Sequence, residues 1–234
     1  MSKVKVPLIA ILVVSLALFT SGCETLMPDQ PPENGETEDG EVTDPSYFEF
    51  NKSTNTITGY SYDGPTDVVI PSEIDGVDVK EIGDGAFNTM DYLTSVEIPD
   101  TVTVIGDSAF RSNPPLTSVD LGEGVEEIGE TAFQNNSLSS VEVPDSVKVI
   151  EGGAFQHNSL ESVVLGDGVE EIGGWAFGGE NSVTYVEIGE GVDLNPNETE
   201  RCFDGNFREV YKNNNKSAGV YKRDDTDRDW YKES

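Results

Sequence analysis

The residues able to do chemistry are few and lie far apart in the chain. The only histidine is His157, directly after Ala154-Phe155-Gln156. A nucleophilic triad needs a base within hydrogen-bond reach of Ser or Cys, itself oriented by a third group. A lone histidine in a polar stretch points instead to a solvated turn. The 45 Asp and Glu residues supply many carboxylate pairs, but no spacing singles one pair out for acid–base work. Asp225-Thr226-Asp227-Arg228-Asp229 has the alternating spacing of an oxygen-rich calcium loop. Trp230 stands where an EF-hand requires Gly, and no Glu occupies the twelfth position. Calcium therefore stays open as a partner, against a solvated charged turn. The sequence has no zinc-ligand spacing and no glycine-rich phosphate loop. The expectation is a protein that is not an enzyme and has no cofactor or resident metal.

Charge narrows the partners. The chain carries 14 Lys and Arg against 45 Asp and Glu, a formal net charge of −31. Phosphate backbones are bound by basic surfaces, so nucleic acid is not expected. Basic proteins and divalent cations are the natural counterparts of such a field, unless the charge serves only solubility. The balance reverses near the end: residues 201–234 hold eight basic and seven acidic residues, whereas residues 47–200 hold four and 30.

The first 22 residues have the layout of a secretory signal peptide. Lys3 and Lys5 precede a core from Val6 to Phe19 that is apolar except for Ser15, and Thr20, Ser21 and Gly22 lead to Cys23. The core is short for a membrane span. Small residues ending at a cysteine resemble the bacterial lipobox, with Thr20 where that motif commonly has Leu. The resemblance implies that Cys23 is the lipid attachment site and tethers the protein to a membrane, stably if it carries two or more acyl chains. Glu24, rather than Asp, follows the cysteine, which favours an outer membrane where one exists. Cys202 is then left without a disulfide partner. Residues 23–46 hold eight acidic residues, no Lys or Arg, and Pro28, Pro31, Pro32 and Pro45. Such a segment buries too little apolar surface to offset its ordering entropy, so a disordered tether is expected there.

A repeat then takes over. Ala-Phe recurs at Ala86-Phe87, Ala109-Phe110, Ala132-Phe133, Ala154-Phe155 and Ala176-Phe177, at spacings of 23, 23, 22 and 22 residues. Ile82, Ile105, Ile128, Ile150 and Ile172 precede these pairs, and all but Ile150 are followed by Gly. Between the pairs lie LTSVEIP (93–99), LTSVDLG (116–122), LSSVEVP (138–144), LESVVLG (160–166) and VTYVEIG (183–189). An irregular last copy ends at Cys202-Phe203, with Cys in the place of Ala. In L-x-x-V-x-I the last two apolar positions alternate as in a strand and face one side. One such strand buries almost nothing. Copies stacked about 4.8 Å apart form a parallel sheet with a continuous apolar interior, and V-x-x-I lines the opposite wall.

This unit resembles the leucine-rich repeats of the BspA-like family of bacterial surface proteins. It departs from the commoner repeat at the Asn place, where Val102, Val125, Val147, Val169 and Val192 stand. The expected fold is mainly β: a leucine-rich-repeat solenoid with stacked parallel strands, short helical turns and β end caps. The expected organisation is a signal peptide (1–22), a tether (23–46), an N-terminal cap (47–67), the solenoid (68–206) and a C-terminal cap (207–234). A hairpin of residues 47–50 and 56–60 would close one end. Val210, Tyr211, Val220, Tyr221, Trp230 and Tyr231 would cover the last rung at the other.

Outward positions of the repeat strands are the candidate contacts. In-register stacking would align Glu97, Asp120, Glu142, Val164 and Glu187 in one column. Trp175 stands where other copies have Gly, Ser or Thr, and Tyr185 interrupts a column of serines; exposed aromatics are frequent contact residues. The resemblance implies a surface lipoprotein that binds a protein or glycan and serves adhesion. A periplasmic or envelope scaffold and a calcium-dependent binding module are the alternatives.

Overall fold

The computed structural model describes residues 41–179, 181–194, 201–223 and 229–233. The signal segment, Cys23 and most of the tether lie outside the described residues, as do Asp225 to Arg228 of the calcium-type loop.

The folded body begins earlier than the composition suggests. Thr43 is buried; its N–H donates to the Val69 carbonyl, and its Oγ1 accepts the Val69 N–H, both at 3.0 Å. Residues 41–46, assigned above to the tether, thus include a stretch paired along β3 (Asp67–Val69) and a 3-10 turn at Pro45–Tyr47. A buried threonine that satisfies a strand edge overrides the acidic composition around it.

The N-terminal hairpin forms as expected, with β1 (Phe48–Asn51) antiparallel to β2 (Thr56–Tyr60). β4 (Glu73–Ile74) and β5 (Val77–Asp78) make a small second hairpin. From there short and longer strands alternate, each short one the V-x-x-I wall and each longer one the L-x-x-V-x-I wall. They are β6 (Glu81–Ile82), β7 (Ser95–Glu97), β8 (Val104–Ile105), β9 (Ser118–Asp120), β10 (Glu127–Ile128) and β11 (Ser140–Val143). β12 (Val149–Ile150), β13 (Ser162–Leu165), β14 (Glu171–Ile172), β15 (Tyr185–Ile188) and β16 (Asp193–Leu194) complete the alternation. The short strands stack in parallel into one eight-stranded sheet, β1-β2-β6-β8-β10-β12-β14-β16. The longer strands form two sheets, β3-β7-β9 and β11-β13-β15.

The connections are tight turns rather than short helices. Each carries residues at positive φ, such as Thr89, Ser112, Asn135 and His157, which stop a helix from propagating. Phe87, Phe110, Phe133, Phe155, Phe177 and Phe203 stack in one buried column, with ring centroids 4.8–5.3 Å apart. That spacing is close to the rise of the coil stack itself. Cys202 fills the Ala place beside Phe203 and is buried; burial pushes its thiol up to about 12, so it is inert in the native fold.

A second buried column was not foreseen from the repeat. Asn113, Asn136, Asn158 and Asn181 each bridge coils with their side-chain amides. Asn136 Nδ2 donates to the carbonyls of Phe110 and Phe133, and its Oδ1 accepts the Asn113 N–H. Asn158 Nδ2 bonds Phe133 and Phe155 in the same way, while its Oδ1 accepts the Leu138 N–H. The ladder satisfies backbone groups at the corner between the two walls. It sits where the turn needs it, not at the valine positions after the strand.

The C-terminal cap is mixed rather than all β. α1 (Phe207–Asn213) leads to β17 (Gly219–Arg223), which pairs antiparallel with β15, and β18 (Trp230–Lys232) pairs with β17. Tyr211, Tyr221 and Trp230 are buried as expected, and Tyr211 donates to the Gly189 carbonyl at 2.7 Å. Tyr231 is the exception, half exposed on the outer strand.

Candidate binding surface

The candidate residues fall in separate places. Glu97 lies opposite Asp120 across β7 and β9, and both are exposed. Glu142 lies opposite Val164, and Val164 opposite Glu187, across β11, β13 and β15. The anticipated single column is therefore two blocks, because β9 and β11 belong to different sheets. The cause is visible in the turn length. Two residues, Pro114 and Pro115, separate Asn113 from Leu116, whereas only Ser137 separates Asn136 from Leu138 and only Ser159 separates Asn158 from Leu160. The missing residue changes where the chain enters the strand. The Asn ladder changes its donor at the same point: the N–H of Met90 or Asn113 before it, that of Leu138 or Leu160 after it.

Like charges face each other at Glu97 and Asp120, an unfavourable pairing unless screened or bridged. The four ion pairs among the described residues engage Asp75, Asp78, Asp193 and Glu233 and leave this pair unneutralised. At the edge of the first block Asp67 accepts from Thr94 Oγ1 and Ser95 Oγ, and these hydroxyls, Ser95 foremost, hold its carboxyl below the usual range.

Tyr185 and Glu187 sit beside the cap. Tyr185 is opposite Lys222, Glu187 is opposite Val220, and the Tyr185 hydroxyl donates to Glu187 Oε2 at 3.3 Å. Both are only partly exposed, so the cap strand occupies much of the surface they would offer. Trp175 is elsewhere, in the turn after β14, with φ of +60° and 37% exposure. His157 is a turn residue at positive φ, as the lone histidine suggested, but it is half-buried and packed over Gly179 rather than fully solvated.

In the turns after the short strands, sequence reasoning singled out Trp175 but not the carboxylates around it. There Glu130, Glu151, Glu171 and Trp175 border a groove of about 470 Å³. The signal was present: Ile150 is followed by Glu151 where the other copies have Gly.

Comparison with known proteins agrees with this architecture. Residues 80–205 match the model of the BspA type leucine rich repeat region in 6 copies. No curated protein matches the chain. The crystal structure of the T. pallidum leucine rich repeat protein, TpLRR, is 32% identical over 63% of this chain and 72% of that one, with a TM-score of 0.57. A leucine-rich repeat protein from Bacteroides ovatus is 28% identical, with a TM-score of 0.54; the match covers 63% of this chain and 40% of that longer one. One from Eubacterium ventriosum, 24% identical over 59% of this chain and 38% of that one, shares the fold at a TM-score of 0.51. With six copies matched over more than half its length and the coil geometry in place, this chain belongs to the BspA-type leucine-rich repeat family.

Proposed function

We propose that this is a lipid-anchored protein of the bacterial cell surface that binds a protein ligand through its wall of longer strands and serves adhesion. Leucine-rich repeats are in general non-catalytic binding scaffolds for other proteins. One observation carries the choice of face: Glu97, Asp120 and Glu142 project from rigid parallel strands, exposed and without a basic partner among the described residues. Contacts fixed on a scaffold lose little ordering entropy on binding. An acidic rigid face suits a basic surface and speeds encounter with it. Glu187 and Tyr185 extend this face to the cap, and Cys23 supplies the membrane attachment. The lipobox-like run before Cys23 supports the anchor.

Protease treatment of intact cells, with lysed cells as control, tests the location. Digestion of the solenoid on intact cells is the expected result. Protection until lysis would place it inside the envelope and sink the adhesin reading in favour of a scaffold. Cys23→Ser is expected to move the protein from the membrane to the soluble fraction; retention in the membrane would exclude Cys23 as the anchor.

A further inference from the structure

The turns after the short strands repeat faithfully through three coils and then change. The sequences are Gly83-Asp84-Gly85, Gly106-Asp107-Ser108 and Gly129-Glu130-Thr131, followed by Glu151-Gly152-Gly153 and Gly173-Gly174-Trp175. In the early coils side chains link one turn to the next. Asp84 Oδ1 accepts the Asp107 N–H, Asp107 Oδ1 accepts the Glu130 N–H, and the hydroxyls of Ser108 and Thr131 lie 2.9 Å apart. At Gly152, Gly153 and Gly174 these links stop while the backbone ladder continues: Thr131 N–H donates to Gly152, and Gly153 N–H to Gly174. The missing side chains leave the groove of about 470 Å³. Trp175 stands at its border, one coil beyond Gly153.

Coil geometry does not ask for these changes. Gly153 and Trp175 occupy the same place in successive coils, at φ of +65° and +60°. Glycine adopts that conformation freely and tryptophan rarely does. The groove thus combines a glycine floor, an exposed aromatic at one side and the carboxylates of Glu130, Glu151 and Glu171 around it. Burial, together with the charges of Glu171, Glu127, Asp107 and Glu130, raises the Glu151 carboxyl above its usual range. None of the ion pairs among the described residues neutralises this group.

We propose that this groove is a second binding site, distinct from the strand wall, which receives an arginine side chain of a protein partner. Charge complementarity selects a cation over a neutral sugar or an anion. Trp175 selects a planar one, because a guanidinium stacks on an aromatic face while its N–H fork is matched to carboxylates. The groove supplies both surfaces in one place. This inference rests on the reading of the solenoid as a protein-binding module and adds a specific side chain to it.

The test uses the purified soluble chain and two probes: an end-capped peptide with one central arginine, and the same peptide with citrulline, its neutral isostere. Isothermal titration at low salt is expected to show saturable one-to-one binding of the arginine peptide and none of the citrulline peptide. Trp175→Gly and Glu151→Gln are each expected to weaken binding by about tenfold. Trp175→Gly keeps the backbone, since Gly153 already holds that conformation, and circular dichroism monitors folding of both variants. Equal binding of the two peptides would overturn the proposal, as would unchanged binding in Trp175→Gly or no binding at all. A loss confined to the Glu97→Gln, Asp120→Asn double variant would move the arginine site to the strand wall, overturning the groove and leaving the proposed function intact. Protease protection on intact cells would remove the surface reading and leave the titration unaffected.

Discussion

The two walls of the solenoid are built by the same coils but differ in continuity. Strands of only two residues run without a break from β6 to β16 and join the N-terminal hairpin, whereas the longer strands are cut between β9 and β11. Strand length therefore does not decide continuity. The break coincides with a change in the connector from the ladder asparagine to the strand, which has two residues after Asn113 and one after Asn136, Asn158 and Asn181. Ile82, Ile105, Ile128, Ile150 and Ile172 all lie four residues before Ala, so the short wall keeps one register. The connector from the ladder asparagine to the strand shortens by one residue after Pro115, and the long wall slips there. The slip also separates Glu97 and Asp120 from Glu142 and Glu187. The wall therefore presents two acidic blocks rather than one stripe.

The largest expected effect comes from the corner that both walls share. Phe133→Ala opens a gap in the ring column and is expected to cost about 3–5 kcal/mol. Asn136→Ala leaves the Asn113 N–H without its partner and takes one of two amide donors from each of the carbonyls of Phe110 and Phe133, which keep Asn113 and Asn158, and is expected to cost about 2 kcal/mol. Urea unfolding of both variants checks these values. A loss below about 1 kcal/mol for Asn136→Ala would mean that water replaces the ladder, and that the corner does not hold the walls together.

A smaller effect is expected from changing the corner length. Deleting Pro115 should give the second coil the one-residue connector of the later coils, join β9 to β11 and move the break to between β7 and β9. Amide exchange is then expected to slow where β9 meets β11 and to quicken where β7 meets β9. Inserting one glycine between Ser159 and Leu160 should cut the wall at a new place, between β11 and β13, at a cost of about 1–3 kcal/mol. An exchange pattern that ignores both changes would separate connector length from the break.

The smallest effects are electrostatic and opposite in sign on the two walls. The Asp67 carboxyl is lowered by the hydroxyls of Ser95 and Thr94, so its contribution is present at neutral pH and lost as pH falls through its folded value. The Glu151 carboxyl is raised, mainly by burial and then by its acidic neighbours, so its charge is destabilising at neutral pH and the penalty fades as pH falls through the raised value. At pH 7 Asp67→Asn is expected to destabilise and Glu151→Gln to stabilise, each by less than about 1 kcal/mol. Both differences should shrink in acid. Thermal melts across pH 3–7 measure them, and two shifts of the same sign would contradict the assignment.

The amino-acid sequence by itself determined the coil. The spacing of Ala-Phe, the alternation in L-x-x-V-x-I and the V-x-x-I pair specify which side chains point inward, because burial acts on every copy alike. The hairpin at residues 47–60 and the aromatic residues of the last cap were legible for the same reason. The structure alone decided how the copies meet. The asparagine ladder, the slip between β9 and β11, the pairing of Thr43 with Val69 and the docking of the cap helix through the Tyr211 hydroxyl all depend on contacts between chain segments distant in sequence. The groove at Trp175 belongs with them. Its parts were visible as departures from the repeat, at Glu151 and Trp175, but only stacking brings those departures in neighbouring coils to one place. Periodicity reports what is common to all coils, and a site is made where two adjacent coils differ.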